Sequence, residues 1–235
     1  MFIPFAITLP TGVNSGNDYD IEPGQRAVVA AYYVNTVQYL GPAQLALYPL
    51  AFERATAARF LGALGTTNTI VGYIDHGLEE GPPGQATTRA LCFWRWCLAP
   101  SELRTWVRQG PDDPGELLPP QGAQLAVLPN GFTPKAKVVI LAACGIDAFF
   151  IAQWHLQDGQ ALIVPKYNDD NPLMEITLNT ASTELEAMLL KLGKGGTVDE
   201  AVAFGNQAAA ANNSDYRWQV VPTGGGGVSF NAKTQ

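Results

Sequence analysis

The chain of 235 residues suits one domain, or at most two, and a chain of this length buries roughly 70% of its unfolded surface without disulfide support. Its formal net charge is -7, and its 14 Lys and Arg residues are scattered, so no basic stripe exists for a phosphate backbone. Composition therefore argues against a nucleic-acid partner.

The cysteines and the start of the chain indicate a soluble, cytoplasmic protein. Cys92, Cys97 and Cys144 are odd in number and lack the spacing of a disulfide framework or a zinc site, which fits a reducing compartment. The first ten residues are apolar, but they contain no basic residue and are interrupted by prolines, unlike a signal peptide. No run reaches the roughly 18 apolar residues of a membrane span. No membrane partner, metal or cofactor is expected.

The N-terminal part of the sequence predicts an extension followed by the start of an α/β domain. Residues 1–25 are assigned to the extension, because residues 11–25 are rich in Gly, Asn and Asp. Residues 26–34 form either a strand or a short helix, since their periodicity favours neither. Residues 43–48 are predicted as a strand, and residues 52–64 as a helix that ends at a glycine.

The middle of the chain contains the first of two similar strand endings. Residues 68–75 form a short apolar strand that runs into His76 and Gly77, followed by a predicted loop over residues 78–85. Residues 87–98 are rich in aromatic side chains and predict a strand or hairpin, whose aromatic face either packs in the core or forms a groove for a partner. The proline-rich residues 110–135 predict a long loop.

The second strand ending introduces the C-terminal half. Residues 137–143 form another apolar strand, which runs into Cys144 and Gly145. Thr197 and Glu200 have the spacing of a capping box that opens a helix. Residues 26–222 are predicted to form one domain, and residues 223–235 a flexible tail. Between Gly145 and the tail, the sequence predicts a helix at 146–157, a strand at 160–165, a polar loop at 167–172, a helix at 173–192, a helix at 197–211 and a strand at 216–221.

The two strand endings predict a catalytic site. In open α/β sheets, chemistry collects at the carboxyl ends of the strands, so neighbouring strands would bring the Cys144 thiol and the His76 imidazole together. The positive end of a helix that starts near Ile146 would favour the thiolate. The alternative for Cys144 is a small buried core residue. The second histidine, His155, is predicted on a helix and would point away from the strand end.

A strand ending in His-Gly, followed by a strand ending in Ala-Cys-Gly, resembles the caspase-like cysteine peptidases. The downstream half is similar to the CHAT family, which is related to caspases and separase: Ala-Leu-Ile-Val at 161–164, Asn-Asp-Asp at 168–170, a long helix, and Gly-Thr-Val-Asp-Glu-Ala at 196–201. The resemblance covers residues 43–222. It implies a caspase-like three-layer α/β sandwich, in which helices flank a largely parallel sheet.

The resemblance also implies roles for individual residues. Cys144 would attack the scissile carbonyl and His76 would protonate the leaving amine, while the backbone N–H groups of Gly77 and Cys144 would hold the oxyanion. The implied function is a cysteine endopeptidase that cleaves a specific protein substrate in a regulated event of the effector or defence type. Bacterial CHAT-like proteins often act beside effector or sensor partners, so a dedicated partner protein is also expected.

The specificity pocket is where the sequence departs from its relatives. Ala142 stands where metacaspases have an acidic residue, so the substrate preference of those relatives does not carry over. Asp169 and Asp170, in the loop that builds part of the pocket in CHAT-like enzymes, and Asp147 would together favour a basic residue before the cleaved bond. The alternative is that these carboxylates are solvated turn residues.

Two other functions remain open from the sequence. A catalytically inactive caspase-like module would bind partners through the face that carries Trp94 and Trp96. A thiol hydrolase acting on esters or small amides would use the same Cys/His pair. The reactivity of Cys144 separates the first alternative from an enzyme, and substrate profiling separates the second from a peptidase.

Overall fold

The computed structural model describes most of the C-terminal half of the chain and separate segments of the N-terminal half. The described residues are 3–8, 45–50, 57–67, 70–74, 77–80, 87–93, 96–98, 134–154, 156–167, 175–221 and 225–229. The predictions for residues 26–34 and for the proline-rich loop up to residue 133 lie outside them.

Nine strands in the described residues form two sheets. They are β1 (Ile3–Thr8), β2 (Leu45–Leu50), β3 (Ile70–Ile74), β4 (Gly77–Glu80), β5 (Thr87–Phe93), β6 (Trp96–Leu98), β7 (Val138–Ala142), β8 (Ala161–Tyr167) and β9 (Tyr216–Val221). The larger sheet has the order β2-β1-β3-β7-β8-β9, and β4, β5 and β6 form the smaller one. All neighbours in the larger sheet are parallel except β8 and β9, so the predicted largely parallel sheet is confirmed.

Helices cover both faces of the larger sheet. The described helices are α1 (Ala57–Leu64), α2 (Ala148–Ala152), α3 (Leu178–Gly193) and α4 (Val198–Ala211). Alternate residues of β3 and β7 pack into one apolar cluster with α1 and α2, and into another with α3 and α4. Every residue of β3 and β7 is therefore buried, which explains why both strands are continuous apolar runs.

The smaller sheet lies between β3 and β7 in the chain and is wholly antiparallel. Strands β5 and β6 confirm the hairpin predicted over residues 87–98, with Cys92 opposite Cys97. The loop predicted from residue 78 is wrong at its start, because Gly77–Glu80 is strand β4 and pairs with β5. The acidic β4 sequence carries no apolar alternation, so only its pairing with a distant segment makes it a strand.

The start of one helix has its predicted cap, whereas the bounds of two other helices differ from those predicted. Thr197 and Glu200 form the predicted capping box at the start of α4, with reciprocal hydrogen bonds between side chains and backbone. Helix α3 begins at Leu178, directly after its N-cap Thr177, and so starts five residues later than the predicted start at residue 173. Helix α2 has only five residues and does not extend to residue 157.

Both ends of the sequence include residues that belong to the fold. The extension assigned to residues 1–25 contains β1, which lies inside the larger sheet between β2 and β3. The tail assigned to residues 223–235 contains a 3-10 helix at Gly225–Gly227, after which Ser229 pairs with Thr197. The Val198 N–H donates to the Val228 carbonyl at 2.9 Å, so residues 225–229 are anchored at the start of α4.

No described helix is long and apolar enough to cross a membrane.

Candidate active site

Strands β3 and β7 are neighbours, so the two strand endings meet at one edge of the sheet. Their parallel register pairs Ile74 with Ala142, the last residue of each strand. Cys144 follows Ala142 by two residues, and His76 follows Ile74 by two residues in the sequence. His76 itself lies outside the described residues, as do Asp75 and His155, so the Cys/His dyad stays a prediction.

Cys144 and Gly145 form a turn that directly follows β7. The Cys144 side chain is half-buried, whereas Gly145 is buried. Gly145 has a φ of 63°, in the left-handed region where a side chain would be strained. A glycine is therefore required for the chain to turn immediately after Cys144.

Three successive carbonyl groups of this turn accept hydrogen bonds from outside it. The Tyr167 hydroxyl donates to the Ala143 carbonyl at 2.7 Å. The Thr88 hydroxyl donates to the Cys144 carbonyl at 2.5 Å, and the Thr88 backbone N–H donates to the Gly145 carbonyl at 2.8 Å. The backbone on both sides of Cys144 is consequently held by β8 and β5.

Thr88 also joins the Cys144 turn to Gly77. The Thr88 side chain is fully buried, and a Cβ built on Gly77 would lie only 2.0 Å from its hydroxyl oxygen. The absence of a side chain at Gly77 is therefore what allows β4 to approach Thr88 so closely. The structure thus brings Gly77 and Cys144, the two predicted oxyanion donors, close to the hydroxyl of one threonine.

The thiol of Cys144 contacts the backbone that leads into α3. The Ile176 N–H points at Sγ at 3.4 Å, and the Sγ of Cys144 lies 3.7 Å from the Ile176 carbonyl oxygen. Ile176 immediately precedes Thr177, the N-cap of the 16-residue α3. The sequence suggested instead that a helix starting near Ile146 would lie beside the thiol, but α2 begins at Ala148 and has five residues.

Asp147 acts as a helix cap in the structure. Its carboxylate accepts a hydrogen bond from the Phe150 N–H at 2.7 Å and so caps α2. Asp169 and Asp170 lie outside the described residues. The predicted pocket for a basic substrate side chain therefore stays a prediction.

Three further residues contact the turn and are not indicated by the sequence: Thr88, Tyr167 and Ile176. These residues lie 56, 24 and 32 positions from their partners at the turn. A buried threonine next to a charged residue in a hairpin gives no local indication of such a contact. Among the described residues, no group of three His, Cys, Asp or Glu side chains is placed to hold a metal ion.

The chain is similar to known proteins in its structure. No family model and no curated protein matches the sequence. The structure is similar to the Arg-specific cysteine proteinase gingipain R, with a TM-score of 0.53 and 10% identity over 98% of this chain. This chain spans about half of that one, 48% of its length.

Two further structures are similar. Protein GSU0716 from Geobacter sulfurreducens matches with a TM-score of 0.52 and 12% identity, over 98% of both chains. The Drosophila initiator caspase Dronc has a TM-score of 0.45 and 8% identity, over 92% of this chain and 78% of that one.

The architecture and the likeness to gingipain R confirm the predicted caspase-like α/β sandwich. The fold is therefore one that cysteine proteinases use. The narrower assignment to the CHAT family stays a prediction.

Proposed function

We propose that this protein is a cysteine endopeptidase in which Cys144 is the nucleophile and His76 the general acid and base. The observation that carries the proposal is the parallel pairing of β3 with β7, in a register that ends both strands together at Ile74 and Ala142. We expect a thiol and an imidazole that each follow such an ending by two residues to lie at the same edge of the sheet.

The proposed reaction proceeds through an acyl-enzyme. Cys144 gives its thiol proton to His76, and its Sγ attacks the carbonyl carbon of the scissile peptide. The backbone N–H groups of Gly77 and Cys144 stabilise the resulting oxyanion. His76 donates a proton to the departing amine, which leaves a thioester on Cys144. Water, deprotonated by His76, then hydrolyses the thioester and restores the thiol.

The surroundings of Sγ support its role as the nucleophile. The Cys144 side chain is half-buried and not enclosed in the core, as a structural cysteine would be. The Ile176 N–H is directed at the sulfur, and a backbone donor in this position stabilises negative charge on it.

We further propose that the substrate is a protein cleaved after a basic residue. Asp147 follows Cys144 by three residues, and Asp169 and Asp170 follow β8 in the sequence. Gingipain R, whose fold is similar, is an Arg-specific enzyme. Cleavage would be a regulated event of the effector or defence type, with a dedicated partner protein selecting the target.

A panel of fluorogenic peptides tests this function. The peptides differ only in the residue before the cleaved bond, which is Arg, Lys, Asp or Leu. We expect turnover of the Arg and Lys peptides by the wild type and none by Cys144→Ala. Cys97→Ala, which removes a thiol from β6, is the matched control and should keep activity. A wild type that behaves like Cys144→Ala on every peptide would refute the peptidase.

A further inference from the structure

We propose that Tyr167 and Thr88 are positioning residues that fix the conformation of Cys144 and aim its N–H at the oxyanion. The inference rests on the proposed function and adds two residues to it. Neither side chain needs to touch the substrate, because both act on the backbone of the turn.

Tyr167 fixes the peptide plane before Cys144. The peptide group that contains the Ala143 carbonyl also contains the Cys144 N–H, and in a trans peptide the two bonds point in opposite directions. Since the Tyr167 hydroxyl holds the Ala143 carbonyl at 2.7 Å, the Cys144 N–H is directed away from Tyr167. This N–H is one of the two donors proposed for the oxyanion.

Thr88 fixes the peptide plane after Cys144. Its hydroxyl holds the Cys144 carbonyl at 2.5 Å, and its N–H holds the Gly145 carbonyl at 2.8 Å. With the planes on both sides anchored, the φ and ψ angles of Cys144 have little freedom, because these are the only soft backbone torsions. The direction of the Cα–Cβ bond, and with it the approach of Sγ, is set by the same two contacts.

Among the described residues, the pairing of β7 with β8 supplies no donor at the position that Tyr167 serves. The pairing of β7 with β8 ends at Ile140 and Ile163. Further along β8 stands the buried Pro165, which has no N–H to donate. Ala143 lies beyond the last residue of β7, and its buried carbonyl is satisfied by the tyrosine hydroxyl.

Both donors are themselves held rigidly, and they reach the turn from different layers. Tyr167 is opposite Tyr216 in the β8–β9 ladder, and the two rings make an edge-to-face contact at 6.2 Å between centroids. Tyr167 packs against the apolar cluster that contains α3 and α4. Thr88 is fully buried on β5, whose Leu91 belongs to the cluster that contains α1 and α2.

The first test separates acyl transfer from simple reactivity of the thiol. Tyr167→Phe removes one hydroxyl and keeps the ring, so it releases the Ala143 carbonyl and leaves the packing intact. We expect kcat on the best peptide of the panel to fall about 10–100-fold with KM nearly unchanged, since small errors in the placement of reacting groups have effects of this size. Alkylation of Cys144 by iodoacetamide forms no oxyanion and should stay within about twofold of the wild-type rate.

Tyr216→Phe is the matched control. It removes a hydroxyl from the neighbouring ring, and this hydroxyl hydrogen-bonds with Thr180 of α3 at 3.3 Å. We expect its kcat to equal that of the wild type. A general weakening of the fold by Tyr167→Phe would change the alkylation rate together with acyl transfer, and would so reveal a merely structural role.

The second test uses the hydroxyl of Thr88. Thr88→Ser keeps the donor to the Cys144 carbonyl, whereas Thr88→Val keeps the shape and removes the donor. We expect Thr88→Ser to retain most of the wild-type kcat. For Thr88→Val, we expect kcat to fall by a factor similar to that for Tyr167→Phe. Equal activity in the two variants would overturn the role of Thr88.

The outcomes distinguish this inference from the function on which it rests. An active wild type with an unchanged kcat in Tyr167→Phe would overturn the positioning role and leave the peptidase standing. A wild type without turnover would overturn the proposed function, and the positioning role with it. A fall in kcat with an unchanged alkylation rate supports both.

Discussion

At Gly77 the lack of a side chain decides how closely β4 approaches the Cys144 turn. The Thr88 hydroxyl occupies the space that a Cβ of residue 77 would need, at 2.0 Å. The same hydroxyl holds the Cys144 carbonyl. A side chain added at Gly77 is therefore expected to displace Thr88 and, through it, to change the backbone position of Cys144.

Gly77→Ala is expected to lower both stability and activity. The new methyl group displaces the Thr88 hydroxyl, which costs about 1–3 kcal/mol of the free energy of unfolding, as overpacking of a buried site does. The released Cys144 carbonyl should also lower kcat. Urea unfolding and peptide turnover measure the two effects.

Gly62→Ala is the control for Gly77→Ala. Gly62 is exposed on α1 and nothing lies within 4 Å of a Cβ built there, so alanine should raise the free energy of unfolding by about 0.5–1 kcal/mol. If Gly77→Ala proved as stable and active as the wild type, the close approach to Thr88 would not exist in solution.

Glu186 on α3 predicts a pH dependence of stability. Burial raises the pKa of its carboxyl above the ordinary 4.5 in the folded protein, and its buried Oε1 has no hydrogen-bond partner among the described residues. As the pH rises, the Glu186 carboxyl therefore loses its proton at a lower pH in the unfolded chain than in the folded protein. The contribution of Glu186 to stability is therefore present below about pH 4.5 and is lost as the pH rises through the folded pKa.

Glu186→Gln should accordingly be more stable than the wild type at pH 7 and equally stable at pH 4. The amide stays neutral at both values, so it avoids the cost of a half-buried charge. Urea unfolding at the two pH values measures the difference. A gain of the same size at pH 4 and pH 7 would mean that ionisation of Glu186 is not its cause.

Among the elements, the apolar strands and the capped helix could be predicted from the sequence, whereas elements that depend on distant partners could not. Strands β3, β7 and β9 are apolar or alternating runs, and the Thr197–Glu200 spacing marks the start of α4. Strand β4 has no such pattern, and β1 is too short to distinguish from an apolar leader without its neighbours. Both are strands because another segment pairs with them.

The same distinction explains why the candidate site was only partly predictable. His76 and Cys144 each follow a buried strand and precede a glycine, which is a local pattern. Thr88 and Tyr167 act over 56 and 24 residues, and such contacts depend on how the sheets stack. The candidate nucleophile could therefore be predicted, and the residues that hold its backbone could not.

Residues 225–229 belong to the predicted flexible tail but are anchored in the structure. The Val228 carbonyl accepts from the Val198 N–H at 2.9 Å, and the Ser229 carbonyl accepts from the Lys137 ammonium group. The segment thus connects the start of α4 to the residue that precedes β7.

A chain that ends at residue 222 should be less stable than the wild type by about 1–3 kcal/mol, because two hydrogen bonds to this segment are lost and partly buried groups lose their partners. A chain that ends at Ser229 is the control and should unfold at the wild-type urea concentration. Equal midpoints for the two shortened chains would contradict the anchoring role of residues 225–229.

For the whole molecule, the central feature is a parallel sheet enclosed by helices, with its candidate site at the carboxyl ends of two central strands. Apolar clusters on both faces fix β3 and β7 over their full length. The smaller sheet adds Thr88 at the same edge, and the segment before α3 adds Ile176. The half-buried thiol at this edge of the sheet is the group to which we assign nucleophilic catalysis in the proposed function.

Brief treatment with iodoacetamide, followed by peptide mapping, tests most directly whether Cys144 is the nucleophile. We expect a mass shift on Cys144 and none on Cys92 or Cys97, and a slower reaction of Cys144 in His76→Ala. Three cysteines that react alike, or that are all inert in the folded protein, would contradict the enzyme and favour an inactive, partner-binding module.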